Sequence, residues 1–179
     1  MTDFNTLYVW IGASGGDWYD NVHNWKPGYP LASPPGYGDL VIFNNGVAET
    51  VTGSGAASQA DVVLGTTLII KDSLGLDGAV SGVGLMVESG GRVILASGAT
   101  KSGVPNPGGV SVDVIGFMGE GSLDVRAGGA MDDTGMVLGD RSTSSGTLTV
   151  EGIVIVAPAN APNGLLIVGN AGSGVVTVQ

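Results

Sequence analysis

A block of alternating apolar and polar residues occurs three times in the second half of the chain. It reads V-I-G-F-M-G-E-G-S-L-D-V at 114–125, M-V-L-G-D-R-S-T-S-S-G-T-L-T-V at 136–150 and L-L-I-V-G-N-A-G-S-G-V-V-T-V at 165–178. Each block opens with a short apolar run that ends in glycine, passes through a small polar turn, and closes with apolar residues at every second position. Because successive side chains of a β-strand point to opposite faces, this spacing predicts half-buried strands.

The closing strand of each block predicts which side chains enter the interior. The inward-facing residues are expected to be Leu123, Val125, Leu148, Val150, Val176 and Val178. The residues between them, Asp124, Thr149 and Thr177, are expected to point to the opposite face.

An earlier segment resembles these blocks less closely. Residues 81–91 (S-G-V-G-L-M-V-E-S-G-G) align with residues 119–129 (G-E-G-S-L-D-V-R-A-G-G). On that alignment Val87, Val125, Val150 and Val178 are equivalent, at offsets of 38, 25 and 28 residues. Repeats of about 20 to 50 residues are typical of solenoids, propellers and other stacked arrays. The repeats therefore predict an all-β fold in one elongated domain, built as a solenoid, a propeller or another stacked array.

Two segments depart from the repeat. The Pro- and Gly-rich segment 101–109 (K-S-G-V-P-N-P-G-G) is predicted to be a loop insertion at one edge. Residues 1–45 hold all three tryptophans, all four tyrosines and the only histidine. Terminal repeats of a stacked array are atypical because they cover its exposed end. We therefore predict an aromatic-rich N-terminal cap at 1–45 and β-helix coils at 46–179, the first of them shorter and less regular than the later ones.

Composition limits the function classes. The net charge of −10 and the pI of about 4.1 argue against nucleic-acid binding and against contact with anionic membranes. The chain has no cysteine, so disulfides and thiolate metal sites are excluded. No apolar run is long enough for a membrane span, and the N-terminus does not read as a signal peptide. Because the chain stops immediately after a strand, we expect it to be an excised fragment.

Three groups of residues invite a chemical interpretation. Gly12–Gly16 with His23 is superficially similar to the nucleophile motif of serine proteases, although Ala13 stands where that motif has aspartate, so a turn is preferred. Asp132 and Asp133 resemble a glycosidase pair, but adjacent strand residues face opposite sides, so a solvated turn is preferred. Asp124 is the one approximation to a calcium-binding repeat. No catalytic, cofactor-binding or metal-ligating residue is assigned.

The tryptophans Trp10, Trp18 and Trp25 allow two readings. Their rings would suit a carbohydrate-binding platform, because sugar faces stack on aromatic rings. They would equally form the core of the N-terminal cap, because buried aromatic side chains contribute heavily to small cores. The cap core is preferred.

Four segments together resemble a known family. They are W-I-G-A-S-G-G-D-W-Y-D-N-V-H-N-W-K-P-G at 10–28, P-G-Y-G-D-L-V-I-F at 35–43, V-S-G-V-G-L-M-V-E-S-G-G at 80–91 and G-L-L-I-V-G-N-A-G-S-G-V-V-T-V at 164–178. The chain looks like the start of a bacterial autotransporter passenger built from autotransporter-associated β-strand repeats. The resemblance implies a right-handed parallel β-helix at the surface of a Gram-negative bacterium, or released from it. The family's secretion signal and its membrane barrel do not occur in this sequence.

The function expected from this resemblance is that of a non-enzymatic, secreted, stiff stalk acting in adhesion or self-association. The expected partners are molecules of host or neighbouring cell surfaces, including glycans, or further copies, and the fragment is expected to be a monomer in solution. Two alternatives stay open. One is a polysaccharide-binding or polysaccharide-degrading β-helix, and the other is a segment of a phage tail fibre.

Overall fold

The computed structural model describes residues 5–27, 33–103, 111–156 and 164–179. These residues form an all-β fold with a single helical turn, and most strands belong to parallel sheets stacked in rungs. In chain order the elements are β1 (Leu7–Trp10), β2 (Gly16–Asp17), α1 (Asn21–Asn24), β3 (Trp25–Pro27), β4 (Leu40–Phe43), β5 (Ala48–Thr52), β6 (Gly55–Ala57), β7 (Gln59–Val62), β8 (Thr67–Ile70), β9 (Ser73–Leu76), β10 (Val83–Val87), β11 (Gly91–Leu95), β12 (Thr100–Gly103), β13 (Val112–Ile115), β14 (Glu120–Val125), β15 (Ala130–Asp133), β16 (Gly135–Leu138), β17 (Ser145–Val150), β18 (Ile153–Val156), β19 (Leu165–Val168) and β20 (Ser173–Val178).

The strands form three sheets that the chain visits in a repeating order. Sheet A runs β19-β16-β13-β10-β7-β4-β1-β3, sheet B runs β2-β5-β8-β11-β14-β17-β20, and sheet C runs β18-β15-β12-β9-β6. From β4 onward, each rung contributes one strand to sheet A, then one to B, then one to C. All neighbouring strands pair in parallel except β1 and β3, which pair antiparallel at the end of sheet A. This topology confirms the stacked β array predicted from the repeat and shows that its sheets are parallel.

Alternation along each strand fills the interior with columns of stacked apolar side chains. In sheet B, the register places Val51, Ile70, Leu95, Val125, Val150 and Val178 in one column. The positions in this column are closest together at its start, which agrees with the shorter first coils predicted from the sequence. The outward positions predicted for Asp124, Thr149 and Thr177 are also confirmed, because these three residues are aligned on the other face.

Val87 does not belong to this column, so the alignment of 81–91 with 119–129 is wrong. Val87 lies on β10 in sheet A, where it pairs with Val62 below and Ile115 above. Strands of sheets A and B carry the same apolar alternation because both line the same interior. The sequence alignment therefore matched a strand of sheet A with the repeated strands of sheet B.

The predicted loop at 101–109 is only partly described. Lys101 and Ser102 pair in register with β9 and β15, so the first residues of the segment form a strand of sheet C and not a loop. This part of the prediction failed because Pro and Gly at 104–109 dominated the composition of the segment. Residues 104–110 lie outside the described residues.

Aromatic side chains fill the interior at the N-terminal end. Trp25 lies at the centre, with its ring centroid 4.9 Å from that of Trp10 and 4.8 Å from that of Trp18, both edge-on. Phe43 and Tyr8 pack against Trp25 as well. Edge-to-face packing of this kind adds to the stabilisation from burial.

The opposite end of the stack is open. The inward-facing side chains of the last described rung are partly exposed, with Val176 at 38% and Val178 at 76%. Leu166 is exposed at 42%, although its partner in the previous rung, Met136, is fully buried. The side chains of Leu148, Leu166, Val176 and Val178 line an apolar pocket of about 720 Å³ that opens to solvent.

Candidate functional site

Three charged side chains meet inside the solenoid, between sheets A and C. They are Lys101 on β12, Asp113 on β13 and Asp133 on β15, and at most 1% of each side chain is exposed. The Lys101 Nζ lies 2.7 Å from Asp113 Oδ1 and 2.6 Å from Asp113 Oδ2. It also donates a hydrogen bond to Asp133 Oδ2. The amine is therefore held between two carboxyl groups in a site closed to solvent.

Strand register brings these residues to the interior. Lys101 is paired with Leu74 in the rung below and Met131 in the rung above, so it occupies a position in an otherwise apolar column. Asp113 pairs with Met136, another buried apolar residue. The three charged residues thus follow the same alternation as the hydrophobic core.

Backbone donors hold both carboxyl groups in place. The register between β10 and β13 shifts between Val83 and Met86, and within this irregular stretch Leu85 N donates to Asp113 Oδ1 at 3.0 Å. Thr134 N donates to Asp133 Oδ1 at 2.8 Å. Buried carboxyl oxygens need such partners, because an unsatisfied polar atom in the interior is costly.

Two glycines leave room for the carboxyl groups. A Cβ on Gly103 would lie 2.4 Å from Asp133 Oδ1. A Cβ on Gly84 would lie 2.4 Å from the Ser111 Oγ and 3.2 Å from Asp113 Oδ1. Any side chain at either position would displace the polar groups, so glycine is part of how the site is built.

The electrostatics of the cluster favour one proton on the pair of carboxyl groups, in addition to the protonated amine. Burial and the neighbouring Asp133 raise the pKa of Asp113 well above its ordinary value, although Lys101 acts in the opposite direction. Burial alone would lower the pKa of Lys101, but the charges of the two aspartates outweigh it and raise that pKa. Both shifts act in the same direction, because each favours the protonated form of its group, Asp113 as the carboxylic acid and Lys101 as the ammonium.

The sequence analysis did not find this cluster. It placed Lys101 in a loop, did not single out Asp113, and weighed Asp133 only together with Asp132. One signal was present, because Asp113 stands in phase with the buried Ile115 in the alternating segment V-D-V-I. A charged residue at an inward position indicates a buried partner of opposite charge.

Asp132 and Asp133 lie in strand β15, so their interpretation as a turn is wrong. The expectation that adjacent residues face opposite sides is confirmed, since Asp132 is exposed and Asp133 is fully buried. The alternation of the strand continues through both aspartates because the interior supplies Asp133 with a cation. The carboxyl groups that do meet, Asp113 and Asp133, are buried and form no cleft for a polysaccharide.

The protease-like segment is arranged differently from a catalytic site. The Ser14 Oγ accepts a hydrogen bond from Thr50 N, which ties its turn to sheet B. His23 is largely exposed, and its Nδ1 lies 2.9 Å from Asp20 Oδ1. Their described hydrogen bonds lead to separate partners and not to each other.

The residue considered for calcium is part of an ion pair. The Arg92 Nε donates to Asp124 Oδ2 at 3.0 Å on the outer face of sheet B. Within the described ranges, no group of three or more His, Cys, Asp or Glu residues is arranged to hold a metal ion.

The tryptophan rings face inward. Trp10, Trp18 and Trp25 are each 2% exposed, so the described structure does not present them as a platform for sugars. The indole Nε1 of Trp25 donates to the Trp18 carbonyl oxygen at 2.8 Å. The rings are a core, as the preferred interpretation of the sequence held.

The outer faces of sheets A and B differ in polarity. The register of sheet A aligns an outward column, here called the sheet A column, consisting of Val9, Ile42, Asp61, Met86, Val114, Val137 and Ile167. The outward columns of sheet B are mainly polar, with Thr147 and Thr149 beside the Arg92–Asp124 pair. Sheet A therefore carries a line of mainly apolar side chains along the outside of the stack, each partly exposed except the buried Val114.

Comparison with known proteins gives no relative. The chain matches no protein-family model, no curated protein and no solved structure. Among the helical residues that the structure describes, none belongs to a helix long and apolar enough to cross a membrane.

Proposed function

We propose that the chain is part of a non-enzymatic, secreted passenger of a Gram-negative bacterium and forms a stiff stalk that acts in self-association or adhesion. In this proposal the solenoid is a right-handed β-helix, and residues 1–45 form its N-terminal cap. Support comes from the family resemblance of the sequence and from the parallel stacked sheets. The aromatic cluster around Trp25 supports the cap, because it fills the interior where the stack begins.

The sheet A column is the observation that carries this function. It follows successive rungs from β1 to β19, and Asp61 is the one charged residue in it. Monomeric proteins rarely leave a continuous apolar surface without a role. A second copy is a suitable occupant, because a nearly uncharged face avoids the repulsion expected between two chains of net charge −10.

The size of this surface sets the strength of the contact. Strands in a sheet are about 4.8 Å apart, so seven strands span roughly 29 Å. A single column of that length covers far less than the roughly 800 Å² per partner of a stable complex. We therefore expect weak pairing in solution, and stronger association when many copies are displayed side by side.

The test places a charge in the middle of the column. Val137→Lys is compared with Thr147→Lys, which adds the same charge to the outer face of sheet B. Beads coated with the parent chain should cluster, Val137→Lys should lower clustering at least about tenfold because a charge opposes burial at the contact, and Thr147→Lys should leave it near the parent level. Clustering that is absent, or equally lowered by both variants, would reject sheet A as the contact surface.

A further inference from the structure

The buried cluster holds an amine in direct contact with a carboxyl group. The Lys101 Nζ lies 2.7 Å from Asp113 Oδ1 and 2.6 Å from Asp113 Oδ2, at the oxygen edge of the group, so that a short shift of the amine toward the face of the carboxyl group would bring it to Cγ. Reacting groups held in contact gain a large rate advantage over the same groups free in solution. Neither residue has water as a competing partner, because at most 1% of either side chain is exposed.

We propose that Lys101 and Asp113 join in an intramolecular amide bond, and that Asp133 transfers the protons. The bond would connect sheet C to sheet A across the interior. It would also tie together the two strands, β12 and β13, that flank residues 104–110. This inference does not depend on the partner proposed for the outer surface.

The reaction is a condensation that needs no oxidant and no cofactor. Asp133 Oδ2 takes a proton from the Lys101 ammonium, and the neutral amine attacks the Cγ of Asp113 in its carboxylic acid form. A C–N bond forms and the bond from Cγ to the protonated Oδ2 breaks. Asp133 protonates the departing hydroxyl and accepts the second proton from Nζ. One amide, one water molecule and a protonated Asp133 result, so atoms and charge balance.

Each part of the site has a role in this scheme. The Leu85 N–H already donates to Asp113 Oδ1, the oxygen that becomes negative in the tetrahedral intermediate, and such a preorganised donor stabilises that charge. A raised pKa of Asp113 keeps this group as the acid, which is electrophilic where a carboxylate is not. Burial favours the product as well, because a neutral amide replaces charged groups held away from water.

Mass spectrometry of the purified, denatured chain tests the bond. The parent chain is expected to weigh one water molecule less than its sequence. Trypsin should not cleave after the modified Lys101, so digestion should yield one peptide of residues 93–126, lighter by one water and closed between 101 and 113. Asp133→Asn should restore the full sequence mass and normal cleavage after Lys101. Asp132→Asn, which changes the exposed neighbour, should keep the deficit.

Each contrary result has a defined meaning. A folded parent chain with its full sequence mass would overturn the proposal, as would a deficit that persists in Asp133→Asn. A link from Lys101 to the peptide 127–141 would show that Asp133 is the electrophile and would overturn the assigned roles. A water loss confined to the peptide containing Asp77 and Gly78 would indicate a succinimide and no cross-link. Circular dichroism shows whether Asp133→Asn is folded, and its mass tests the proposal only if it is.

Discussion

Two parts of the interior use the same strand alternation and fill it with different chemistry. In sheet B, Leu95 and Val125 stack in an apolar column, whereas between sheets A and C the inward positions hold Lys101, Asp113 and Asp133. An apolar column needs only hydrophobic side chains of suitable size, but a charged cluster needs each partner at hydrogen-bond distance. Alternation thus determines which residues enter the interior, and the contacts between rungs determine which chemistry is tolerated there.

A charge placed in the apolar column should have the largest effect. Val125→Asp buries an unpaired carboxylate at a position that is 1% exposed, and we expect it to lower the free energy of unfolding by about 4 kcal/mol. Val150→Asp should cost less, about 1–2 kcal/mol, because Val150 is half-buried and lines the open end. Urea denaturation followed by circular dichroism measures both values.

Thr147→Asp is the matched control for the apolar column. It adds the same carboxylate to the outer face of sheet B, opposite the uncharged Ser122, and should change stability by less than about 0.5 kcal/mol. If Val125→Asp unfolds at the same urea concentration as Thr147→Asp, Val125 does not face the core.

Removing the cation from the charged cluster should have the second largest effect. Lys101→Met leaves Asp113 and Asp133 buried without their cation, and we expect a cost of about 3 kcal/mol, at the lower end for a broken buried ion pair, because the raised pKa of Asp113 lets it remain a neutral acid. The triple variant Lys101→Met, Asp113→Asn, Asp133→Asn removes the buried acids together with the amine. We expect it to be about 2–3 kcal/mol more stable than Lys101→Met at pH 8, because no carboxyl group must be buried without a partner.

Comparing these two variants isolates the carboxyl groups. Both lack the amine, so neither can form the proposed amide, and their difference reports only the buried acids. The difference should shrink as the pH falls and the carboxylates of Lys101→Met gain protons. Equal stability of the two variants at pH 8 would mean that the cluster is hydrated and not closed as described.

The apolar column was predictable from sequence because its information is local. Leu123 and Val125 reveal their buried face through spacing alone, whichever rung lies above or below. The assignment of Val87 to that column failed because strands of two different sheets show the same spacing. Telling them apart requires knowing where each rung closes, and glycines and loops of variable length obscure that point.

The charged cluster could not be predicted in the same way because its information is not local. Lys101 and Asp133 meet only because β12 and β15 are neighbouring strands of sheet C. Asp113 reaches them from sheet A, where the irregular pairing of β10 frees Leu85 N to hold its carboxyl group. Each charge alone reads as a surface residue, and only the stacked register shows that they are partners.

The third and smallest effect concerns Asp61, whose carboxyl group is half-buried on the outer face of sheet A. Burial raises the pKa of Asp61 from 3.8 to about 6, opposed by a hydrogen bond from Gln59 and supported by the nearby charge of Glu88. Because the unfolded chain has the lower pKa, the folded state binds more protons between about pH 4 and pH 6. Stability therefore falls as the pH rises through that window and is constant above it.

Asp61→Asn should abolish this part of the pH dependence. On a fully buried group, a pKa shift of this size would correspond to about 3 kcal/mol in the free energy of unfolding. Because Asp61 is only half-buried, solvent screening reduces the expected effect to about 1–2 kcal/mol. Urea denaturation at pH 4, 5, 6 and 7 measures the difference between the parent and Asp61→Asn, which should grow in favour of the variant up to pH 6 and then stay level. Asp132→Asn, on the exposed face of sheet C, should follow the parent at every pH. A parent chain that instead gains stability relative to Asp61→Asn as the pH rises would mean that Asp61 is stabilised as the carboxylate, and that the apolar outer face of sheet A does not disfavour a charge.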